Sequence, residues 1–148
     1  QLKKNIFEFT DFLVNILQVE DVGATFEHSV TFHDSCSALR EYKLTDQPRR
    51  LLANVRGLEL REMKDSRVCC GFGGLFSVKH EPISTAMGGQ KIENALATGA
   101  EFIVSTDSSC LMHQQGYIDK HKLPLKTMHI IDVLASGWYD IPQTFSVL

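Results

Sequence analysis

Four short apolar runs, each closed by turn residues and followed by a helix-forming stretch, limit what this chain can fold into. Ser29–His33 (SVTFH) is β-branched and aromatic, as a half-buried or buried strand requires. Leu58–Met63 (LELREM), Glu101–Thr106 (EFIVST) and Leu125–His129 repeat that signal. The segments between them carry helix signals. Asp34 can cap a helix over Ser35–Tyr42, and Thr45 or Asp46 a second one with Pro48 in its first turn and Gly57 just beyond its end. Leu51, Leu52 and Val55 of that second helix point to the core. Pro82 opens a long helix ending at Thr98, with Gly99 as its stop; Gly88 and Gly89 lie inside it at a cost of about 1 kcal/mol each relative to alanine. Asp107 or Ser108 can cap Ser109–Lys120, and Ile130–Ser136 closes the series. Strands alternating with helices predict an α/β fold: a parallel sheet of about four strands with helices on both faces and right-handed crossovers.

The two ends read differently. Leu2, Ile6, Phe9, Leu13 and Ile16 recur at steps of three and four, which predicts a core-facing helix over Gln1–Gln18. A chain that starts inside a helix is expected to be a piece of something longer. Trp138–Leu148 has Pro142 and no period, and is expected to be a loosely held tail after a single domain over residues 1–137. At 148 residues, one domain fits and two would be cramped. A net charge of −3 gives no field for phosphate backbones, so nucleic acid is excluded as a general partner. No apolar run is long enough for a transmembrane segment.

The predicted topology sorts the four cysteines. In open parallel sheets, sites form beyond the carboxyl ends of the strands. Cys36 follows the first strand, Cys69 and Cys70 lie in the loop after the second, and Cys110 follows the third, so all four fall on the carboxyl edge. Cys69 and Cys70 are adjacent and could bond to each other only with strain, and four cysteines are too few for a disulfide scaffold. A reducing, cytoplasmic setting follows, with thiols that are inert or act as ligands. Cys36 and Cys110 each sit in the first turn of a predicted helix, where unpaired N–H groups favour a thiolate. Gly71, Gly73 and Gly74 of CCGFGG allow close backbone approach to the sulfurs. Four converging thiolates suit zinc or an iron–sulfur cluster; ligands at adjacent positions lean away from the C-x-x-C pairs of common zinc folds.

FHDSC (Phe32–Cys36), CCGFGGLFSVK (Cys69–Lys79), KIENALATGAEFIVSTDSSCLMH (Lys91–His113) and MHIIDVLA (Met128–Ala135) together resemble the cysteine-rich CCG domain family. Within it they are most similar to the lactate utilization protein A group, also described as glycolate oxidase iron–sulfur subunits, and in particular to the C-terminal of two tandem repeats. More distantly they resemble the B subunit of heterodisulfide reductase. The family pattern is a cysteine, a gap of a little over thirty residues, Cys-Cys-Gly, a similar gap and C-x-x-C; here 32 residues separate Cys36 from Cys69. The resemblance implies a 4Fe–4S cluster held by Cys36, Cys69, Cys70 and Cys110, electron transfer during L-lactate or glycolate oxidation, and other subunits of that oxidation complex as partners. It also implies that half of a two-repeat chain is present, which leaves a homodimer of the fragment open through apolar surface. One departure stands out. Asp107-Ser108-Ser109-Cys110 aligns with C-x-x-C, so Asp107 occupies the place of a cysteine, and four thiols remain where the heterodisulfide reductase pattern has five.

Other candidates are weighed against plainer roles. Asp107 is expected to be an N-cap rather than a ligand, and Asp34 likewise. His113 and His129 could supply a ligand or a proton, with a hydrogen-bonded or exposed histidine as the slightly favoured alternative. Phe72, Leu75 and Phe76 are expected to pack in the core and exclude water from the site. Arg49, Arg50 and Arg56 are expected to form a solvated helix face. Zinc could replace the cluster on the same cysteines in an assembly module. A third reading makes Cys110 a nucleophile with His113 or His129 as base.

Overall fold

A computed structural model describes residues 6–138. Its centre is a sheet of four parallel strands in the order β2-β1-β3-β4: β1 Ser29–His33, β2 Glu59–Leu60, β3 Phe102–Ser105 and β4 Lys126–His129. Val30 pairs with Phe102 and His33 with Ser105, while Ser105 pairs in turn with His129. The carboxyl ends of β1, β3 and β4 are therefore level. Among the described residues, seven α-helices accompany the sheet: α1 Phe9–Asp11, α2 Cys36–Arg40, α3 Gln47–Ala53, α4 Leu75–Lys79, α5 Glu81–Leu96, α6 Ser108–His121 and α7 Ile130–Ala135.

Strand periodicity divides the core into two. Val30, Phe32, Phe102 and Val104 point to one face, where they pack with Leu51, Leu52 and Val55 of the α3 region and Ile130, Val133 and Leu134 of α7. Ile103 points to the other, where Ile92 and Ala95 of α5 and Ile118 of α6 meet it. Helices thus cover both faces, as the alternating pattern predicts. The alternation also turns Thr31 and His33 of β1 toward the α5–α6 face, both fully buried. Gly89 of α5 is explained by this layer: a Cβ there would lie 2.8 Å from the Tyr117 hydroxyl of α6.

Several boundaries differ from the sequence expectation. The helix expected over Gln1–Gln18 is confined, among the described residues, to α1 and a π turn over Phe12–Ile16. The wider winding rotates side chains off the 3.6-residue stripe. Thr10 and Val14 are buried, whereas Ile6, Phe9 and Ile16 are exposed. β2 shrinks to two residues at the sheet edge, although the Arg61 amide still donates to the Val30 carbonyl at 2.8 Å. α4 begins inside the loop expected over Lys64–Ser77 and runs past its end. The expected tail after Trp138 lies outside the described residues.

Candidate metal centre

Three strand ends deliver the four thiols to one edge. Cys36 begins α2 directly after β1. Its helix is capped by Ser35, whose Oγ accepts from the Ala38 amide at 3.2 Å. Asp34 is not that cap. It is buried and forms a two-pronged pair with Arg49 (2.8 and 2.9 Å) and accepts from the Ser66 hydroxyl at 2.8 Å. Burial pushes the Asp34 carboxyl up, but the hydrogen bonds from Arg49 and Ser66 outweigh it and hold the group below its ordinary value. Arg49 therefore leaves the solvated face expected for it; it also bonds Glu62 and lies 5.0 Å over the Phe32 ring.

Cys110 lies in the first turn of α6. Asp107 caps that helix: its Oδ1 accepts from the amides of Ser109 (3.0 Å) and Cys110 (3.3 Å). Its other oxygen accepts from the Ser37 hydroxyl at 2.7 Å, which ties the Cys110 turn to the Cys36 turn. Both carboxylate oxygens of Asp107 are thus engaged by hydrogen-bond donors. This is the plainer of the two roles its alignment position allowed.

Cys69 and Cys70 are held by the loop between β2 and α4. Gly71 follows at φ +94°, and a Cβ there would lie 2.4 Å from the Ser84 carbonyl, so only glycine fits. The Ser84 hydroxyl donates to the Gly71 carbonyl at 2.9 Å, and the Gly71 amide faces the Cys69 sulfur at 3.4 Å. The preceding turn is anchored from below by Lys91, which is buried and donates to the carbonyls of Asp65 and, at 3.2 Å, Ser66. Burial lowers the Lys91 pKa, opposed by the charge of Cys70.

The cysteines fall into a deep pair and a shallow pair. Cys70 is fully buried and Cys110 nearly so; Cys36 and Cys69 are half-buried. Cys70 Sγ and Cys110 Sγ lie within 4.8 Å of each other; the neighbouring Cys110 thiol holds the Cys70 pKa down, and Cys70 together with burial holds Cys110 up. Burial raises the Cys69 thiol, with Cys70 and Cys36 adding to it as like charges. A thiol pushed up in this way lacks the lowered pKa that a nucleophile at that position needs.

His33 is the residue that sequence reasoning passed over. Its ring nitrogen and the sulfurs of Cys70 and Cys110 lie within 4.8 Å of one another, all buried. These three can hold a metal ion. The signal was present in SVTFH, where period-two alternation sets His33 apart from Val30 and Phe32, one strand end from Cys36.

The other candidates take plainer positions. His113 sits over α5, its Nε2 3.4 Å from the Ser84 carbonyl and its ring 5.9 Å from Phe72. His129 caps α7, its Nδ1 accepting from the Ile131 amide at 3.2 Å. Leu75 and Phe76 are exposed and Phe72 only half-buried, so this group does not pack in the core as expected. Together with Val68, Val78 and Ile83 it leaves apolar surface close to the cysteine loop in sequence. None of the described helices is long and apolar enough to cross a membrane.

Comparison with known proteins agrees with this arrangement. The model of the family described as Cysteine-rich domain (CCG) matches residues 30–115, the span from β1 through Cys110. Lactate utilization protein A of Bacillus thuringiensis (strain Al Hakam) and of Bacillus cereus (strain AH187) are each 44% identical over 130 residues. Lactate utilization protein A 2 of Bacillus anthracis (strain CDC 684 / NRRL 3495) is equally similar. The match covers 88% of this chain and 54% of each relative, so the chain spans about half the length of the curated relatives it matches.

Proposed function

The chain belongs to the cysteine-rich (CCG) domain family, and from that premise we propose that it is an iron–sulfur electron-transfer domain of a 2-hydroxy-acid oxidation system. Cys36, Cys69, Cys70 and Cys110 are the proposed ligands, and a 4Fe–4S cluster the proposed group. The observation that carries the reading is the gathering of all four thiols at one sheet edge, with two of them, Cys70 and Cys110, buried within 4.8 Å of one another. Thiols gathered in this way can lose their protons to solvent as a cationic group binds, which fits a thiolate-ligated cofactor. A bound cluster supplies one-electron storage. The protein's own part is to hold the sulfurs, to keep water from Cys70 and Cys110, and to place the Lys91 ammonium and backbone amides near the thiolates, where they set the potential.

L-lactate or glycolate is the proposed source of electrons, by similarity to relatives named for lactate utilization. The remaining half of such a relative and other subunits of the oxidation complex are the proposed partners. Exposed Leu75, Val78 and Ile83 offer apolar surface for such contact.

Anaerobic reconstitution with iron and sulfide tests the reading. The expected result is broad thiolate-to-iron absorbance in the parent, lost in Cys36→Ala and in Cys110→Ala. No absorbance in the parent, or reconstitution of both variants like the parent, overturns it.

A zinc-binding assembly module is the second reading, and one observation favours it. The compact spacing of His33, Cys70 and Cys110 suits a single ion, since a Zn–S bond of about 2.3 Å sets tetrahedral sulfurs roughly 3.8 Å apart. Stoichiometric zinc without iron, in protein purified anaerobically, would select it.

A further inference from the structure

We propose that His33 is a ligand of the group held at this edge, with its Nε2 supplying the donor that the Asp107 position no longer provides. The proposal rests on the metal-binding reading above and adds a residue to it.

The first observation is an orphaned atom. His33 is fully buried and its Nε2 has no hydrogen-bond partner among the described residues. Leaving a buried polar atom unpaired is costly, so such an atom calls for an explanation such as an ion or water. The second observation fixes which nitrogen is free. His33 Nδ1 lies 3.2 Å from the Ser66 carbonyl oxygen, an atom that can only accept. The same oxygen accepts from the Asp34 amide at 3.1 Å and from Lys91 Nζ at 3.2 Å, so it is held in place from three sides. In the neutral ring the proton therefore sits on Nδ1, and Nε2 presents a lone pair. A metal-ligating histidine has this arrangement, with the distal N–H held by a carbonyl.

The third observation is where that lone pair points. A ring nitrogen of His33, Cys70 Sγ and Cys110 Sγ lie within 4.8 Å of one another, and with Nδ1 turned to the Ser66 carbonyl the nitrogen left for them is Nε2. Asp107 cannot compete, because hydrogen-bond donors from α6 and Ser37 occupy both its oxygens. His113 and His129 are turned to Ser84 and to the α7 amides. On loading, Cys70 and Cys110 release their protons to solvent while His33 donates its lone pair and keeps the Nδ1 proton.

The test uses full-length protein labelled with ¹⁵N-histidine and loaded anaerobically with iron and sulfide, or with Co(II) as a single-ion probe. Pulsed EPR reads the nitrogen coupling to the reduced cluster or the cobalt. A directly bonded nitrogen coupling is expected in the parent and in His113→Gln and His129→Gln. It should vanish in His33→Gln, with a 10–100-fold weaker hold on Co(II). A parent that loads but shows no bonded nitrogen overturns the proposal while leaving the thiolate reading standing, and this arm needs no variant to fold. So does a coupling that persists in His33→Gln. A parent that loads neither cluster nor Co(II) overturns both.

Discussion

The deep and shallow halves of the cysteine cluster are built to different standards. His33, Cys110 and Cys70 sit, in that order, on a fully buried strand end, on a 14-residue helix and on a loop pinned by a glycine no other residue can replace. Cys36 and Cys69 sit half-exposed, one on a five-residue helix and one at the loop's outer side. The difference teaches that the deep half is preorganised by the fold, whereas the shallow half depends on the contacts that close over it. Ser37–Asp107 is the most direct of those contacts. The deep half alone offers three donors for one ion; the proposed cluster draws on both halves.

The sharpest way to break the comparison is Cys70→Ser. It removes the buried thiolate, and loading of Co(II) is expected to fall by about 100-fold or more, near 3 kcal/mol, measured by anaerobic titration. Next comes Asp34→Ala, which strands Arg49 and frees the Ser66 turn. A loss of about 2–3 kcal/mol is expected in denaturant unfolding, below the roughly 3–5 kcal/mol of a fully buried broken pair because Arg49 keeps Glu62. The folded-state pKa of Asp34 is held below 3.8, so its contribution is fully present above that value and disappears as pH falls through the lowered one. Asp34→Asn should accordingly flatten the acid limb of the stability profile; an unchanged limb would show that the pair does not carry it.

Cys36→Ser separates the halves. Cluster formation should be lost, while the hold on Co(II) weakens by only about 10-fold, because the deep group remains. Equal damage to both would mean that the two halves act as one. Ser37→Ala is the mildest, removing one hydrogen bond between the two turns for about 1 kcal/mol of thermal stability. The alpha-helical signal of α6 in circular dichroism should be unaffected, since Asp107 keeps its cap bonds to Ser109 and Cys110.

The fold was largely legible in the sequence because its signals are local. SVTFH and EFIVST declare strands through β-branched residues, and Asp107 before SSC declares a cap. Placing the cysteines on the carboxyl edge then needed only strand order. What stayed hidden depends on contacts between distant segments. Asp34 reads as a cap until Arg49, 15 positions away, is seen beside it. Lys91 looks like an ordinary helix lysine until its ammonium meets the Asp65 and Ser66 carbonyls. Leu75 and Phe76 look like core by composition, yet α4 stands them outward. The first described helix misled because a π turn breaks the period on which its stripe was counted.

The central claim is that these thiols hold an iron–sulfur group. Its most direct test is quantification of iron, zinc and acid-labile sulfide in protein purified without oxygen. The account predicts iron and sulfide in equal, stoichiometric amounts, both falling to background in Cys70→Ser. Zinc at one per chain with neither iron nor sulfide, or a parent free of all three, would contradict it.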